Sequence, residues 1–217
     1  MSEDYYASFT HLLNFTQPES FTQPQLFTQP ESFTYPELTA YFEFLDKTIQ
    51  TIISLPEKDV LTYDILDTEK SKTNKLIALK EKQRQMKVGD IWQSALGNYP
   101  EFIDLKQGHE TGLDILSTTK KIAIELKNRT NTDNASSRKA NFDKLANFKK
   151  AHPDYRCIYA NINAETEKKT LTGSITIKIH NDVEIEHQTG YEFLTFILGE
   201  HTYIIINFIK HTIDKYS

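Results

Sequence analysis

The chain has 217 residues, of which 38% are hydrophobic and 25% charged, and its 30 acidic and 25 basic side chains give a net charge of −5. The single cysteine, Cys157, excludes an internal disulfide, and no Cys/His cluster has the spacing of a structural zinc site. No segment approaches the apolar length of a membrane span and the chain opens with acidic residues, so we predict a cytoplasmic protein without membrane contact. The acidic total leaves DNA open as a partner, because the local field over a cleft steers a polyanion.

The N-terminal part contains a six-residue repeat whose four copies begin at Phe15, Phe21, Phe27 and Phe33, each with a proline. Proline at this spacing excludes an interior helix or a central strand, so residues 1–36 are predicted to form an extended arm. The arm either docks on the body or on a second subunit, or it is a slippage-born repeat without a defined role. The remaining residues, 37–217, are predicted to form a single domain.

Two helical segments follow the repeats. Residues 37–53 carry apolar side chains at helical spacing, which predicts an amphipathic helix in the core or in a dimer contact. Residues 69–96 form a long, charged segment rich in helix-favouring residues. Trp92, near its end, is interpreted as a packing residue.

The most informative stretch is a predicted hairpin whose strands cover residues 112–116 and 121–127, joined by a polar turn. Side chains alternate between the two faces of a strand, so Glu125 and Lys127 share one face, and the isoleucines and leucine around them share the other. On the first strand, Leu113 and Ile115 are assigned to the apolar face and Asp114 to the opposite one. One face is therefore predicted to be core and the other to carry the chemistry, with Asp114 across from the region of Ala123 to Glu125.

Two carboxylates and one amine at such a position can hold a divalent metal ion and activate water. Oxygen ligands suit Mg²⁺, which keeps several waters and completes its coordination with phosphate oxygens, so the substrate would be a phosphate ester. Lys127 could orient or deprotonate the attacking water, or stabilise the charge that builds on phosphorus.

The same pattern has a simpler interpretation, in which Asp114, Glu125 and Lys127 form a cross-strand ion pair on a solvated hairpin. A carboxylate followed after a gap by acid-x-Lys is a loose pattern, and the chain offers a second set of this kind, formed by Asp154, Glu167 and Lys169. The context favours the first set, because residues 163–169 are polar throughout and predict a loop, which gives the alternative set no strand.

A basic segment follows the second strand and is dense in donors that suit phosphate oxygens and base edges. Residues 120–150 hold nine lysines and arginines against three acidic residues. Alone, such a cluster is typical of a solvated basic helix, but beside a metal site it indicates a nucleic-acid surface.

The last part of the chain predicts alternating strands and helices. Ser136 or Ser137 can cap a helix that ends near His152, and residues 157–162 and 174–179 are predicted strands. Two closing helices are predicted over residues 191–198 and 203–213. Hairpin, helix and strand in this order predict an α/β fold with a mixed β-sheet, flanked by helices and containing a crossover connection.

The residues just described resemble the PD-(D/E)XK nuclease motif, in the form found in a family of small type II restriction endonucleases that cut GGNCC-type sites. The resemblance rests on Asp114, on Glu125-Leu126-Lys127, and on the run of Asn, Arg, Thr and Ser at 128–137. It extends from about residue 87 to about residue 159, roughly a third of the chain. Leu113 stands where the literal motif has proline.

The resemblance implies a PD-(D/E)XK catalytic core in which Asp114 and Glu125 bind Mg²⁺ and Lys127 assists the water. It further implies the backbone carbonyl of Leu126 as a metal ligand, with Asp90 as an additional acid from the preceding helix. DNA contacts are expected from the segment behind the motif, at Asn128, Arg129, Asn131, Asn134, Ser136, Ser137, Arg138 and Lys139.

The sequence therefore predicts a Mg²⁺-dependent type II restriction endonuclease of a prokaryotic cytoplasm. It would cut double-stranded DNA at a short, GGNCC-like site, and a near-palindromic site calls for a homodimer. Two alternatives remain open at this point. One is a structure-selective repair or junction nuclease that uses the same three residues without base readout, and the other is a DNA-binding module without catalysis.

Overall fold

The computed structural model describes residues 38–56, 61–106, 108–129, 134–163 and 173–217. In this part of the chain a six-stranded mixed sheet is flanked by helices, which confirms the predicted α/β class. The predicted N-terminal arm, residues 1–36, lies outside the described residues.

The elements lie close to where periodicity predicted them. The helices are α1 (Thr39–Ser54), α2 (Glu69–Gly97), α3 (Ala135–Ala151), α4 (Gly190–Leu198) and α5 (Thr202–Tyr216), with a short 3-10 turn between the last two. The strands are β1 (Ile103–Asp104), β2 (Ile115–Ser117), β3 (Ile122–Arg129), β4 (Arg156–Asn163), β5 (Ser174–His180) and β6 (Val183–Thr189).

The strand order across the sheet is β1-β2-β3-β4-β6-β5. Strands β3, β4 and β6 are parallel neighbours, and the remaining pairs are antiparallel. A parallel pair needs a crossover connection, and α3 supplies it between β3 and β4, as predicted. The parallel pairing also brings the carboxyl ends of β3, β4 and β6 to one edge of the sheet, and this edge carries the site described below.

Both faces of the sheet are packed against helices. On one face, Ile124 of β3 and Ile158 of β4 are fully buried in a large core with side chains from α1, α2, α4 and α5. On the other face, Phe142 and Leu145 of α3 pack on Tyr159 of β4. The expectation that one face of the hairpin is core and the other chemistry is therefore wrong for most of its length.

The hairpin itself differs from its prediction at Leu113. This residue packs in the smaller core beneath α3 rather than beside Ile115. The regular strand begins only at Ile115, and the chain bends at Asp114, so the alternation of faces does not extend back to Leu113. Asp114 nevertheless lies beside β3, because its N–H donates to the carbonyl oxygen of Ile124 over 3.1 Å.

Two further details of the fold differ from the prediction. Helix α3 is capped by Asn134, whose side chain accepts from the N–H of Ser137, and neither predicted serine is the cap. Strand β6 was not predicted at all. It follows β5 through the two-residue turn Asn181-Asp182, in which both residues have positive φ, a conformation that Asn and Asp adopt more easily than other non-glycine residues.

The closing helices correct the statement that no segment is long and apolar enough to cross a membrane. Residues Gly190–Tyr216 meet that test by length and composition. The segment is divided into α4, the 3-10 turn and α5, and Phe193, Ile197, Ile205 and Ile209 are buried in the larger core. Core helices pass the same test, so the segment does not indicate a membrane.

The sheet ends in an exposed apolar edge. In β5, the side chains of Ile175, Ile177 and Ile179 are 48%, 63% and 68% exposed. They alternate with polar residues that face α3, where the ammonium of Lys178 lies 5.4 Å from the ring centre of Phe142. An edge strand with an apolar row is a surface at which chains associate.

Candidate active site

Asp114, Glu125 and Lys127 lie together where β2 and β3 meet. The N–H of Leu126 donates to Oδ2 of Asp114 over 2.7 Å, which fixes this carboxylate against β3. The Lys127 ammonium donates to Oε1 of Glu125 over 2.6 Å, since residues two apart on a strand share a face. The structure thus brings the three residues together, and their chemical roles stay predictions.

The Glu125 carboxylate is buried and incompletely paired. The residue is 2% exposed, and its Oε2 atom accepts no hydrogen bond from any described residue. Burial raises the pKa of Glu125, and the negative charge of Asp114 raises it further. Burial also raises the pKa of Asp114, against the opposing effects of the Leu126 N–H and of the nearby lysines. A buried carboxylate close to a partly buried one therefore favours a position for positive charge between them.

Lys144 is a fourth member of this cluster. It lies on α3, its Nζ is 3.9 Å from Oε2 of Glu125, and it donates to the carbonyl oxygen of Gly112 over 3.1 Å. Gly112 has a φ of +64°, and a Cβ there would lie 3.4 Å from Cδ of Lys144. Glycine at this position therefore allows the positive φ of the turn and leaves room for the side chain of Lys144. From the sequence alone, Lys144 was predicted only as one charge of the basic segment.

Polar residues at helical spacing along α3 are the sequence pattern that points to Lys144. Asn141, three residues before Lys144, is 7% exposed, and Ser137, four residues before Asn141, is in the first turn. These three positions share one stripe of α3. The stripe leads from the exposed start of the helix to Glu125. A polar stripe on a helix that crosses over the hairpin of Asp114 and Glu125 is the feature that would have identified Lys144.

Replacing Lys144 with methionine is expected to slow DNA cleavage about tenfold, because the aliphatic stem stays while about 1.4 kcal/mol of charge stabilisation at Glu125 is lost. The measurement is the single-turnover rate with Mg²⁺. Lys150→Met is the matched control, since Lys150 is exposed on the last turn of the same helix. Equal rates for both variants would contradict a role for Lys144 at the site.

The acids suit a hard cation by their chemistry. Asp114 and Glu125 offer oxygen atoms only, and Oε2 of Glu125 is a buried acceptor without a donor. The described residues hold no group of three His, Cys, Asp or Glu side chains arranged for a metal ion. Any ion at this position would therefore complete its coordination with water, backbone or substrate oxygens, as Mg²⁺ commonly does.

Two other acids lie on neighbouring elements. Asp90 is on α2 with an exposed side chain, and its part in a metal site stays a prediction. Asp104, at the end of β1, was not singled out, yet its negative charge contributes to the raised pKa of Asp114. Its carboxylate forms an ion pair with Lys106 and accepts a hydrogen bond at Oδ1 from Gln93 over 3.1 Å. Asp104 therefore acts on the site through its field.

The predicted DNA-binding residues fall into several groups. Asn134 caps α3, and its Oδ1 accepts from the hydroxyl of Ser136 over 2.7 Å and from the N–H of Ser137 over 2.8 Å. Arg138 is exposed on the first turn of α3, and Lys139, also exposed, forms an ion pair with Asp143 at 3.3 Å. Asn131 and the side chain of Arg129 lie outside the described residues. Contacts of all these residues with DNA stay predictions.

Asn128 has a structural role in addition to any predicted contact with DNA. Its amide nitrogen donates to the carbonyl oxygen of Gln85 in α2 over 3.1 Å. Its side-chain oxygen accepts from the amide of Asn163 in β4 over 2.8 Å, and its main-chain oxygen accepts from the same amide over 3.0 Å. Asn128 thus joins α2, β3 and β4 at the edge that carries the acids.

Asn128→Ala is expected to lower the free energy of unfolding by about 1–3 kcal/mol, because it leaves the partly buried partners unsatisfied. Urea unfolding measures the loss. Asn98→Ala serves as the comparison, since Asn98 makes one exposed side-chain hydrogen bond at the end of α2, and its loss should cost less. Equal losses of stability in the two variants would show that Asn128 does not hold α2, β3 and β4 together.

The alternative acid set receives no support from the described residues. Asp154 forms an exposed ion pair with Lys121 at 3.4 Å, on the turn before β4. Glu167 and Lys169 lie outside the described residues.

Two comparisons with known proteins bear on this site. A family model described as Eco47II restriction endonuclease matches residues 42–216, a range that includes all four residues of the cluster. A comparison with curated proteins gave no match.

Proposed function

The chain belongs to the Eco47II restriction endonuclease family, since the family model covers residues 42–216 of 217, and we propose that it is a Mg²⁺-dependent type II enzyme. The family makes the protein a nuclease that acts on DNA. The proposal adds that the acid pair near Lys127 hydrolyses phosphodiester bonds at a short duplex site. The observation that carries it is the buried Glu125 carboxylate beside the partly buried Asp114, with one Glu125 oxygen that accepts no hydrogen bond from any described residue.

Asp114 and Glu125 would hold the metal ion, together with the backbone carbonyl of Leu126. When bound, Mg²⁺ supplies positive charge that neutralises phosphate oxygens and activates water. The protein's own contribution is to hold the buried Glu125 and the partly buried Asp114 close together, where the pKa of each is raised. Asp90 of α2 would be a further acid at the site.

Lys127 would act on the attacking water or on the phosphate. Its ammonium already lies against Glu125, so it can donate to a water oxygen or to a phosphate oxygen with only a small movement. Lys144 supplies a second positive charge near the other carboxylate oxygen of Glu125. These two lysines would balance the charge of the acids and favour the approach of a polyanion.

The start of α3 is the proposed path of the DNA. Its first turn is exposed and carries Ser136, Ser137, Arg138 and Lys139. Hydroxyl, ammonium and guanidinium groups donate to phosphate oxygens, and Arg pairs well with guanine, so these residues would contact backbone and bases. The stripe that leads from Ser137 to Lys144 would place a phosphate bound there near the acids.

The target is proposed to be GGNCC-like, from the resemblance of the motif. A two-fold symmetric site favours a homodimer with one active site for each strand, in the cytoplasm of a prokaryote. The exposed isoleucines of β5 are compatible with chain association. Sedimentation of the full chain with and without duplex DNA tests this part, and a monomer in both conditions would contradict it.

Plasmid cleavage tests the function. Purified protein is incubated with Mg²⁺ and a plasmid of known sequence, and the fragment ends are mapped. Discrete fragments that share a short sequence at their ends are expected. A smear, or cutting confined to branched DNA, would instead identify a nuclease without base readout. Binding without cutting would identify a DNA-binding module.

A further inference from the structure

Three buried side-chain oxygens accept no hydrogen bond within the part of the chain that the structure describes. They belong to Glu125, Asn161 and Gln188. Glu125 is a proposed metal ligand, and Gln188 faces the larger core, since the side chain of neighbouring His187 lies on the α3 side with Tyr159. Asn161 is 2% exposed, and the function proposed above does not use it. A buried carbonyl oxygen without a donor is costly, so it needs an explanation.

The register of the sheet places Asn161 directly beside Lys127. The two residues are Cα partners in the parallel pair of β3 and β4, just as Glu125 is the partner of Tyr159. Partners in neighbouring strands are about 4.8 Å apart and point to the same face. Asn161 Oδ1 therefore lies on the same face as Lys127, on the neighbouring strand.

A hydrogen bond from its nitrogen fixes the orientation of the Asn161 side-chain amide. Its Nδ2 donates to Nε2 of His187 in β6 over 2.9 Å. Burial, together with the positive charges of Lys178 and Arg138, lowers the pKa of His187 to about 4, so the ring is neutral and can accept this hydrogen bond. The amide nitrogen is thus engaged by His187, and the carbonyl oxygen is left for another donor.

The hydrogen bond of Lys127 depends on an oxygen that a metal ion would also use. Its ammonium donates to Oε1 of Glu125, and a divalent ion between Asp114 and Glu125 competes for the same carboxylate. The amine then needs another acceptor to stay at the site. Asn161 Oδ1 is a buried acceptor on the adjacent strand.

We propose that Asn161 is a positioning residue that accepts a hydrogen bond from Lys127 when Glu125 binds the metal ion. This inference rests on the proposed function, because it assumes that Glu125 is a metal ligand. His187 acts in turn on Asn161, by holding its amide with the oxygen toward Lys127. The polar row Lys127–Asn161–His187 thus continues the active site across three strands.

The test compares Asn161→Leu with Asn161→Asp. The leucine variant fills a similar volume without an acceptor, so it should weaken Mg²⁺ binding about tenfold, which corresponds to about 1.4 kcal/mol. Binding is measured without DNA, from the Mg²⁺ concentration that gives half of the maximal thermal shift. The aspartate variant keeps an acceptor oxygen, so it should bind Mg²⁺ within about threefold of the unsubstituted protein.

Cleavage provides the second readout. Asn161→Leu should slow single-turnover cleavage about tenfold or more with DNA affinity unchanged, and Asn161→Asp should restore most of the rate. Gln188→Leu is the matched control, because it removes a buried, unpaired oxygen on the opposite face of the same sheet. It should leave both Mg²⁺ binding and the cleavage rate unchanged.

The outcomes separate this inference from the function on which it rests. If the protein cuts a plasmid at discrete sites and Asn161→Leu matches it in Mg²⁺ binding and rate, the inference is wrong and the function stands. If the protein cuts no DNA, the proposed function fails. Should Asn161→Leu not fold, His187→Phe replaces it, since the loss of the acceptor for the amide should change both readouts in the same direction. No change in that variant would overturn the inference.

Discussion

Replacing Glu125 with glutamine is expected to slow DNA cleavage about a thousandfold or more and to leave DNA binding intact. The substitution keeps the shape of the side chain and an oxygen that accepts from Lys127. It removes the negative charge that would hold the metal ion beside Asp114. Single-turnover cleavage and a gel-shift titration of a duplex with the target sequence measure the two effects.

Glu101→Gln is the control for this prediction. Glu101 is half-exposed and pairs with Lys120 at 3.1 Å, on the loop before β1, so its charge lies outside the site. It should cleave at the unsubstituted rate. Asp114→Ala and Lys127→Ala are expected to behave as Glu125→Gln does. A Glu125→Gln variant that still cuts at a comparable rate would exclude the acid pair as the catalytic centre.

The three central residues could be predicted from the sequence because their geometry is local. Glu125 and Lys127 are two residues apart on one strand, and the polar turn after β2 brings Asp114 back to β3 within twelve residues. Alternation along a strand and a short turn are sufficient to place such residues together. The same reasoning predicted α3 as the crossover between β3 and β4.

Other features depend on contacts that a local pattern does not contain. Lys144 reaches Glu125 only because α3 packs on the face of the sheet that was assigned to chemistry alone. Asn161 and His187 join the site through the order of the strands, in which β6 lies beside β4 and β5 forms the edge. Without β6 in the prediction, the row that links Lys127 to His187 could not be inferred.

The errors at helix ends and faces have physical causes. The serines after Asn134 are good capping residues by type, but the asparagine before them accepts the first-turn N–H instead. Leu113 follows Gly112, whose φ is +64°, and precedes a bend at Asp114, so it leaves the strand pattern. Both errors lie next to the site, where the backbone departs from regular structure.

Mg²⁺ is expected to raise the melting temperature of the protein by about 5–10 °C when it is present at about one hundred times its dissociation constant. Binding at that ratio contributes about 2.7 kcal/mol, and each kcal/mol shifts the midpoint of a domain of this size by about 2–4 °C. The physical reason is that Mg²⁺ would supply positive charge between two carboxylates whose pKa values are raised by burial and, for Glu125, by the charge of Asp114. Thermal unfolding with Mg²⁺ and with a chelator measures the shift.

The dependence of folding stability on pH also has a defined direction. Burial raises the pKa of Glu125 and of Asp114, so the folded protein binds protons more tightly than the unfolded chain. With chelator, these groups therefore make stability fall as pH rises from the ordinary carboxyl range, near pH 4, through their raised pKa values. Other groups contribute to the total curve, so the quantity of interest is the difference between the unsubstituted protein and Glu125→Gln.

That difference has a definite direction. In chelator above the raised pKa, Glu125→Gln should melt at a higher temperature than the unsubstituted protein, because it no longer buries a second negative charge beside Asp114. It should also lose most of the response to Mg²⁺, whereas Glu101→Gln should keep it. A gain in stability together with a loss of cleavage is expected for Glu125→Gln, because the buried Glu125 carboxylate would serve catalysis and destabilise the fold. Equal responses of Glu125→Gln and Glu101→Gln to Mg²⁺ would place the ion away from this acid pair.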